Sequence, residues 1–274
     1  MERLSAPVKK HYSREGLYET ILQRLQEQGI DKITRKDIAA VDEFHVRGAE
    51  VSFELASAAG FDQHTKLLDV GCGIGGPCRM LADKYGCKVT GIDITDEFIR
   101  TAQLLSELLN LQHLSTFIQG DALHLPFEDN SFDVVWTQHV QMNIENKNTF
   151  YSEIHRVLKA GGRFIYYDIF KNNNDPLHFP VPWANDVSLS FLFTKEDLGK
   201  KLSGLGFTKI ETKDQTNEAI NFFSKLFDKI AKEGAPKVGL YLIMGEGTPV
   251  KMGNLLKNIM EGKLELESGM YEKN

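Results

Sequence analysis

Apolar residues recur along the chain with two periods that take turns, one helical and one of short continuous runs. From Glu15 to Gln28, Leu17, Ile21, Leu22 and Leu25 share a helical face, and Gly29 stands where a helix C-terminus needs positive φ. A second helical stretch, Ala49 to Ala59, runs into Gly60. From there the pattern predicts buried strands over Lys66–Val70, Lys88–Asp93, Ser115–Gln119, Phe132–Thr137 and Arg163–Phe170. Helices are predicted to start near Gly75, Thr95 and Lys147. Strand and helix alternating in this way require right-handed crossovers, so the expected class is α/β with a doubly wound, mostly parallel sheet. The Thr95 helix has a capping residue, two acids (Asp96, Glu97) for its positive end, and an inner stripe of Phe98, Ala102, Leu105 and Leu109.

Between Lys171 and Phe193 the periodicity stops. Three prolines (Pro176, Pro180, Pro182), Trp183 and several phenylalanines make the segment irregular yet too apolar for a plain surface loop, so it is expected to fold over something as a lid. Thr194 and Asp197 form a capping-box pattern for a helix running to Leu205-Gly206. In the tail, Asn217–Lys232 reads as helix and Val238–Met244 as an apolar run of either type. Leu264, Leu266, Ser268 and Met270 alternate with more polar positions like a half-exposed strand.

Composition narrows the class. The 274 residues are 42% apolar and 26% charged, which excludes disorder, and a formal net charge of −6 provides no basic field for a nucleic-acid partner. No apolar run approaches the roughly 18 residues of a membrane span. Three cysteines (Cys72, Cys78, Cys87) without a CxxC pair, and no apolar leader, fit a reduced, cytoplasmic protein.

The segment Leu67-Leu-Asp-Val-Gly-Cys-Gly-Ile-Gly-Gly76 joins a predicted strand to a predicted helix. Its glycines let backbone N–H groups approach a ligand closely. Gly71, Gly73 and Gly76 satisfy GxGxxG, and Asp93 ends the next strand 22 residues after Gly71, where an acid accepts from ribose hydroxyls. Asp69, two residues before the first glycine, fits poorly beside a pyrophosphate and wants a cationic partner, as a nucleoside cofactor carrying an amino-acid ammonium would provide.

With these residues in place, Lys66 to Phe207 resembles the class I S-adenosylmethionine-dependent methyltransferases. Leu67–Gly76 looks like their first motif and Gly91-Ile-Asp-Ile94 like the second. Gly120-Asp-Ala-Leu-His-Leu-Pro-Phe127 resembles the third, in which Asp121 and the Ala122 N–H would read adenine. Ser131–Trp136 looks like the fourth strand and Val157–Phe164 like the turn into the fifth, with Ala160 where proline is usual. Asp42–Gly48, Gln138–Met142, Pro180–Trp183 and Ser190–Thr194 look like the small-molecule subgroup that includes sarcosine/dimethylglycine methyltransferases. The resemblance implies a Rossmann-like sheet of seven strands and S-adenosylmethionine as cofactor, held by Asp69, Gly71, Cys72, Gly73, Asp93, Ile94, Asp121, Ala122 and Gln138. It divides the chain into a helical N-terminal arm or cap over residues 1–60 and a methyltransferase domain over 61–274, with the lid at about 171–193 and a helical insertion at about 215–260.

Such an enzyme transfers a methyl group in line to a small-molecule amine or hydroxyl, mainly by alignment and exclusion of water. His139 follows the fourth strand where donor and acceptor would meet, and is the candidate general base. Tyr12, His45, Met142, Trp183 and Phe193 are the candidate pocket and lid residues, and no metal cluster is expected. A homo-oligomer is left open. An NAD(P)-dependent oxidoreductase built on the glycine turn, or a non-catalytic cofactor-binding protein, are the alternatives. The fourth strand runs into Thr137-Gln-His-Val140, without the Asn/Asp-Pro-Pro-aromatic motif of DNA amino-methyltransferases.

Overall fold

The computed structural model describes residues 2–245 and 247–274; Met1 and Glu246, which the domain ranges above include, lie outside the described residues. Four helices precede the sheet: α1 (Glu2–Tyr12), α2 (Leu17–Gln26), α3 (Arg35–Asp42) and α4 (Ala49–Ala59). The alternating part follows as β1 (Lys66–Val70), α5 (Gly76–Tyr85), β2 (Lys88–Asp93), α6 (Asp96–Leu108), β3 (Ser115–Gln119), β4 (Phe132–Gln138), α7 (Lys147–Val157) and β5 (Leu158–Lys171). After the irregular segment come α8 (Lys195–Gly204), β6 (Phe207–Asp214), α9 (Thr216–Glu233), α10 (Tyr241–Met244), α11 (Thr248–Met260) and β7 (Leu264–Lys273).

The seven strands lie in the order β3-β2-β1-β4-β5-β7-β6. Strands β1 to β5 pair in parallel, and β7 inserts antiparallel between β5 and β6. The strand order reverses between β1 and β4, and ligands of such sheets sit beyond the carboxyl ends of the strands at that switch point. Both faces are covered, as parallel sheets require. Leu67 of β1 packs with α4, α5 and α11 on one face, while Leu68 and Val70 pack with α7 and α8 on the other.

One sequence expectation is corrected locally, and one strand was missed. Thr95 occupies the N-cap of α6, but its hydroxyl makes no capping bond and is buried without a partner among the described residues; its backbone N–H donates instead to Asp93 Oδ1 at 2.8 Å. Strand β6 was not readable because it is a sheet edge on which only Phe207 is buried, so no alternation marks it. The capping box at Thr194 and Asp197 forms as expected.

The helices of the arm face different neighbours. Helix α2 buries Leu17, Ile21 and Leu25 in a cluster with Ile38, Ile74, Phe98 and Ile243, beside α6. Helix α1 instead sends Val8 and Tyr12 to the central cavity.

Candidate active site

A cavity of about 310 Å³ opens at the switch point, over the carboxyl ends of β1, β2 and β4 and the loop after β3. Asp69, Gly71, Cys72 and Gly73 line it from the first turn, Asp93 and Ile94 from the end of β2, and Asp121 and Ala122 from the loop after β3. Gln138, His139 and Met142 line it after β4, and Tyr12, His45 and Trp183 close it. Thus the structure gathers every sequence-derived candidate except Phe193. That ring stacks on Tyr151 at 6.5 Å between centroids and faces a separate shallow groove, because the segment carrying it returns along the end of β5, where the Lys171 N–H donates to the Phe193 carbonyl.

The turn owes its shape to its glycines. At Gly71 (φ 77°) a Cβ would lie 2.5 Å from the Val140 side chain, so β4's loop approaches the turn too closely for any other residue. At Gly73 (φ 54°) a Cβ would meet no protein atom within 4 Å, so the backbone faces open space. Asp93 orders this arc: Oδ2 accepts from the Gly73 N–H at 3.0 Å and Oδ1 from the Thr95 N–H. A carboxylate offers about four acceptor positions, so two remain.

Asp69 is buried, and the thiol of Cys78, 3.2 Å away, is its hydrogen-bond donor among the described residues. Neither a backbone donor nor a Lys or Arg reaches it there. Burial pushes its carboxyl up to about 7.

His139 sits at φ 54°, its N–H donating to the Tyr167 carbonyl at 2.8 Å. Asp168, buried and pushed up to about 7 by desolvation, accepts from the Val140, Gln141 and Ile169 N–H groups and so fixes the turn that carries it. The imidazole lies 4.9 Å from the Tyr167 ring and 6.0 Å from His45. Neither of its ring nitrogens has a partner among the described residues, and Nε2 is wholly buried. Burial first, and His45 second, hold it well below the ordinary histidine range. It is therefore a neutral imidazole at pH 7 with acceptor capacity unspent.

Gln138 is less free than its position suggests. Its Oε1 accepts from Trp136 Nε1 at 2.9 Å, and its Nε2 donates to Ser52 Oγ at 3.2 Å. Ser52 donates to Glu43 Oε2 at 2.6 Å, and that oxygen lies 3.1 Å from His45 Nε2. Sequence reading missed this buried chain of Trp136, Gln138, Ser52, Glu43 and His45, since Ser52 and Gln138 are 86 residues apart.

Lys147 was missed too. Its buried ammonium, pushed down to about 7 by desolvation, donates to the carbonyls of Gln141, Ile144 and Phe191, stapling the loop after β4 to the irregular segment. Asn143 adds bonds to the Trp183 and Leu189 carbonyls, at 3.0 Å each, and accepts from Tyr12 Oη at 2.8 Å. Lys147→Met should leave buried carbonyls unpaired at about 1–3 kcal/mol. The expected readout is a lower Tm, with faster hydrogen exchange over residues 187–193.

Comparison with known proteins agrees with this geometry. Residues 68–166 match the family described as Methyltransferase domain. The chain is 32% identical over 169 residues to a sterol 24-C-methyltransferase of Schizosaccharomyces pombe, covering 60% of this chain and 45% of that protein. It is 28% identical over 186 residues to the glycine/sarcosine/dimethylglycine N-methyltransferase of Actinopolyspora halophila, covering 68% of this chain and 32% of the relative. The chain thus spans less than half the length of these curated relatives. Its fold is shared with the geranyl diphosphate C-methyltransferase of Streptomyces coelicolor A3(2), at a TM-score of 0.73 and 14% identity over 99% of this chain and 98% of that one. No helix among the described residues is long and apolar enough to cross a membrane.

Proposed function

We propose, from a chain whose residues 68–166 match the methyltransferase domain family, that it is an S-adenosylmethionine-dependent methyltransferase of a small-molecule acceptor. The observation that carries this reading is Asp69, a buried carboxylate without a charged partner at the wall of an open glycine turn. The residues present fit the donor. Asp69 takes its ammonium, the free acceptor positions of Asp93 take the ribose hydroxyls, and Asp121 with the Ala122 N–H takes adenine. A carboxylate at Asp69 fits a pyrophosphate poorly, which disfavours the oxidoreductase alternative.

When bound, the donor supplies a methyl group on a sulfonium, open to in-line displacement. The chain's own residues align and exclude. Cys72, Ile94 and Met142 wall the donor, while Tyr12, Trp183 and the 171–193 segment keep water from the reacting atoms. His139 accepts the proton of a hydroxyl acceptor as the bond to the methyl forms. The reading is tested by incubating the protein with S-adenosylmethionine and pooled metabolites and measuring a gain of one methyl by mass spectrometry. Tight binding of NAD in place of the donor would overturn it.

The Asp69 carboxyl adds a pH signature. Raised from 3.8 to about 7, it keeps its proton in the folded protein over a range where the unfolded chain has lost it. Without ligand it therefore lowers stability progressively as pH rises through that window. Pairing with an ammonium requires the ionised acid, so donor affinity should rise with pH between 5 and 7, by up to about tenfold per unit, and level off above. Calorimetry with S-adenosylhomocysteine across this range checks it. Asp69→Asn should bind weakly and without the slope; a slope that survives in Asp69→Asn removes Asp69 from the donor site.

A further inference from the structure

The acceptor end of the cavity has a chemical character that the donor end lacks. Beyond His45 and His139 it is walled by Ile169, Trp183, Met252 and Leu255, the last two from α11. Two of the polar side chains nearby are already spent. Trp183 Nε1 donates to Ser190 Oγ at 3.0 Å, and the Asn143 side chain is occupied by Tyr12 and two carbonyls. Among the described residues no lysine or arginine lines the cavity, whereas Asp69, Asp93, Asp121 and Glu145 do.

The neighbouring cations are buried and engaged elsewhere. Arg79 is bound to Asp42 and to the Ile74 and Ala102 carbonyls, Arg47 to Glu50, Glu54 and Gln215, and Lys147 to three carbonyls. Lys251, next to Met252 in sequence, turns its ammonium to the Met244 carbonyl. An acceptor bearing a carboxylate or phosphate would find acids across the cavity and, among the described residues, no lysine or arginine lining it to pair with. His139, held neutral, provides one hydrogen-bonding point in an apolar wall.

Resting on the methyltransferase reading, we infer that the acceptor is an uncharged, largely apolar molecule that presents a single hydroxyl to His139, and that anionic and zwitterionic acceptors are excluded. Transfer to it forms an O–CH₃ bond as the donor's S–CH₃ bond breaks. The hydroxyl proton passes to the His139 imidazole and then to solvent, and the donor leaves as a neutral thioether. Ordering by charge follows from the walls: an unpaired carboxylate loses its hydration on entry and recovers nothing.

The experiment uses the full chain loaded with S-adenosylhomocysteine and two probes that share a ring hydroxyl, 2-naphthol and 6-hydroxy-2-naphthoate, with sarcosine as a small zwitterion. Equilibrium dialysis at pH 7 is expected to show saturable 2-naphthol binding, at least about tenfold tighter than 6-hydroxy-2-naphthoate, and no sarcosine binding. Met252→Lys, which places an ammonium at the acceptor end, should bring the two naphthyl affinities together. Equal or tighter binding of either charged probe by the native protein overturns the inference, as does absence of 2-naphthol binding. So does an unchanged preference in a Met252→Lys protein that still takes up S-adenosylhomocysteine. Uptake of S-adenosylhomocysteine is measured first by calorimetry: its failure sinks the methyltransferase reading, whereas its success with a charged-probe preference sinks the acceptor class alone.

Discussion

His139→Gln is expected to lower turnover of a hydroxyl acceptor by roughly 10²–10⁴-fold while donor affinity stays near native. The reason is local. The imidazole has no other hydrogen-bond duty among the described residues, and the turn that carries it is held by a backbone bond to Tyr167 and by Asp168, which the substitution leaves in place. Glutamine keeps a similar length and polarity but cannot take up a proton. A second readout separates base from wall. Burial and His45 hold His139 well below 6.5, so at saturating donor, where the pH dependence of donor binding drops out, the native rate should pass through pH 6.5 without the inflection an ordinary histidine would give, and fall only in more acidic solution. Near-normal turnover in His139→Gln would leave the residue as pocket wall and move the mechanism to alignment alone.

Asp93→Ala should weaken S-adenosylhomocysteine binding by about 1.5–3 kcal/mol, on the order of ten- to 150-fold, because a charged acceptor of two ribose hydroxyls is lost. Part of the effect comes from the protein itself. The carboxylate also receives the Gly73 and Thr95 N–H groups, so its removal loosens the glycine turn and the start of α6. Comparing calorimetric affinity with Tm of the unliganded variant separates the two contributions. Unchanged affinity would remove Asp93 from the donor site, and a fall in Tm with unchanged affinity would make it a purely structural acid.

How much of this was legible in one dimension depended on range. Strands β1, β2 and β3 fall on the predicted residues: β1 and β2 are short, mostly buried runs bounded by turn residues and marked by their own composition, while β3, at the sheet edge, buries only Ser115 and Phe117. The glycine turn and Asp93 were equally readable, since backbone freedom and a fixed spacing along one strand–turn–helix–strand unit are local properties. The mostly exposed β6 carried no alternation to read, and α11 offered no sign that Met252 and Leu255 would reach the cavity. Phe193 shows the limit of residue type as a guide. Aromatic and close to Trp183 in sequence, it packs instead beside Tyr151, because the path of the 171–193 segment, stapled by Lys147, sets which rings face inward.

The same boundary runs through the site. Sequence alone determined the α/β class, the place of the cleft and the acids at the ends of β1, β2 and β3, because each depends on periodicity, turn chemistry and spacing within some thirty residues. Tertiary structure decided that Asp69 stands without a lysine or arginine partner among the described residues, that Gln138 is tied through Ser52 and Glu43 to His45, and that Arg47, Arg79, Lys147 and Lys251 are engaged elsewhere. Those outcomes depend on which side chains meet across distant segments, and on the desolvation each then suffers, quantities that exist only once the chain has closed around the cavity.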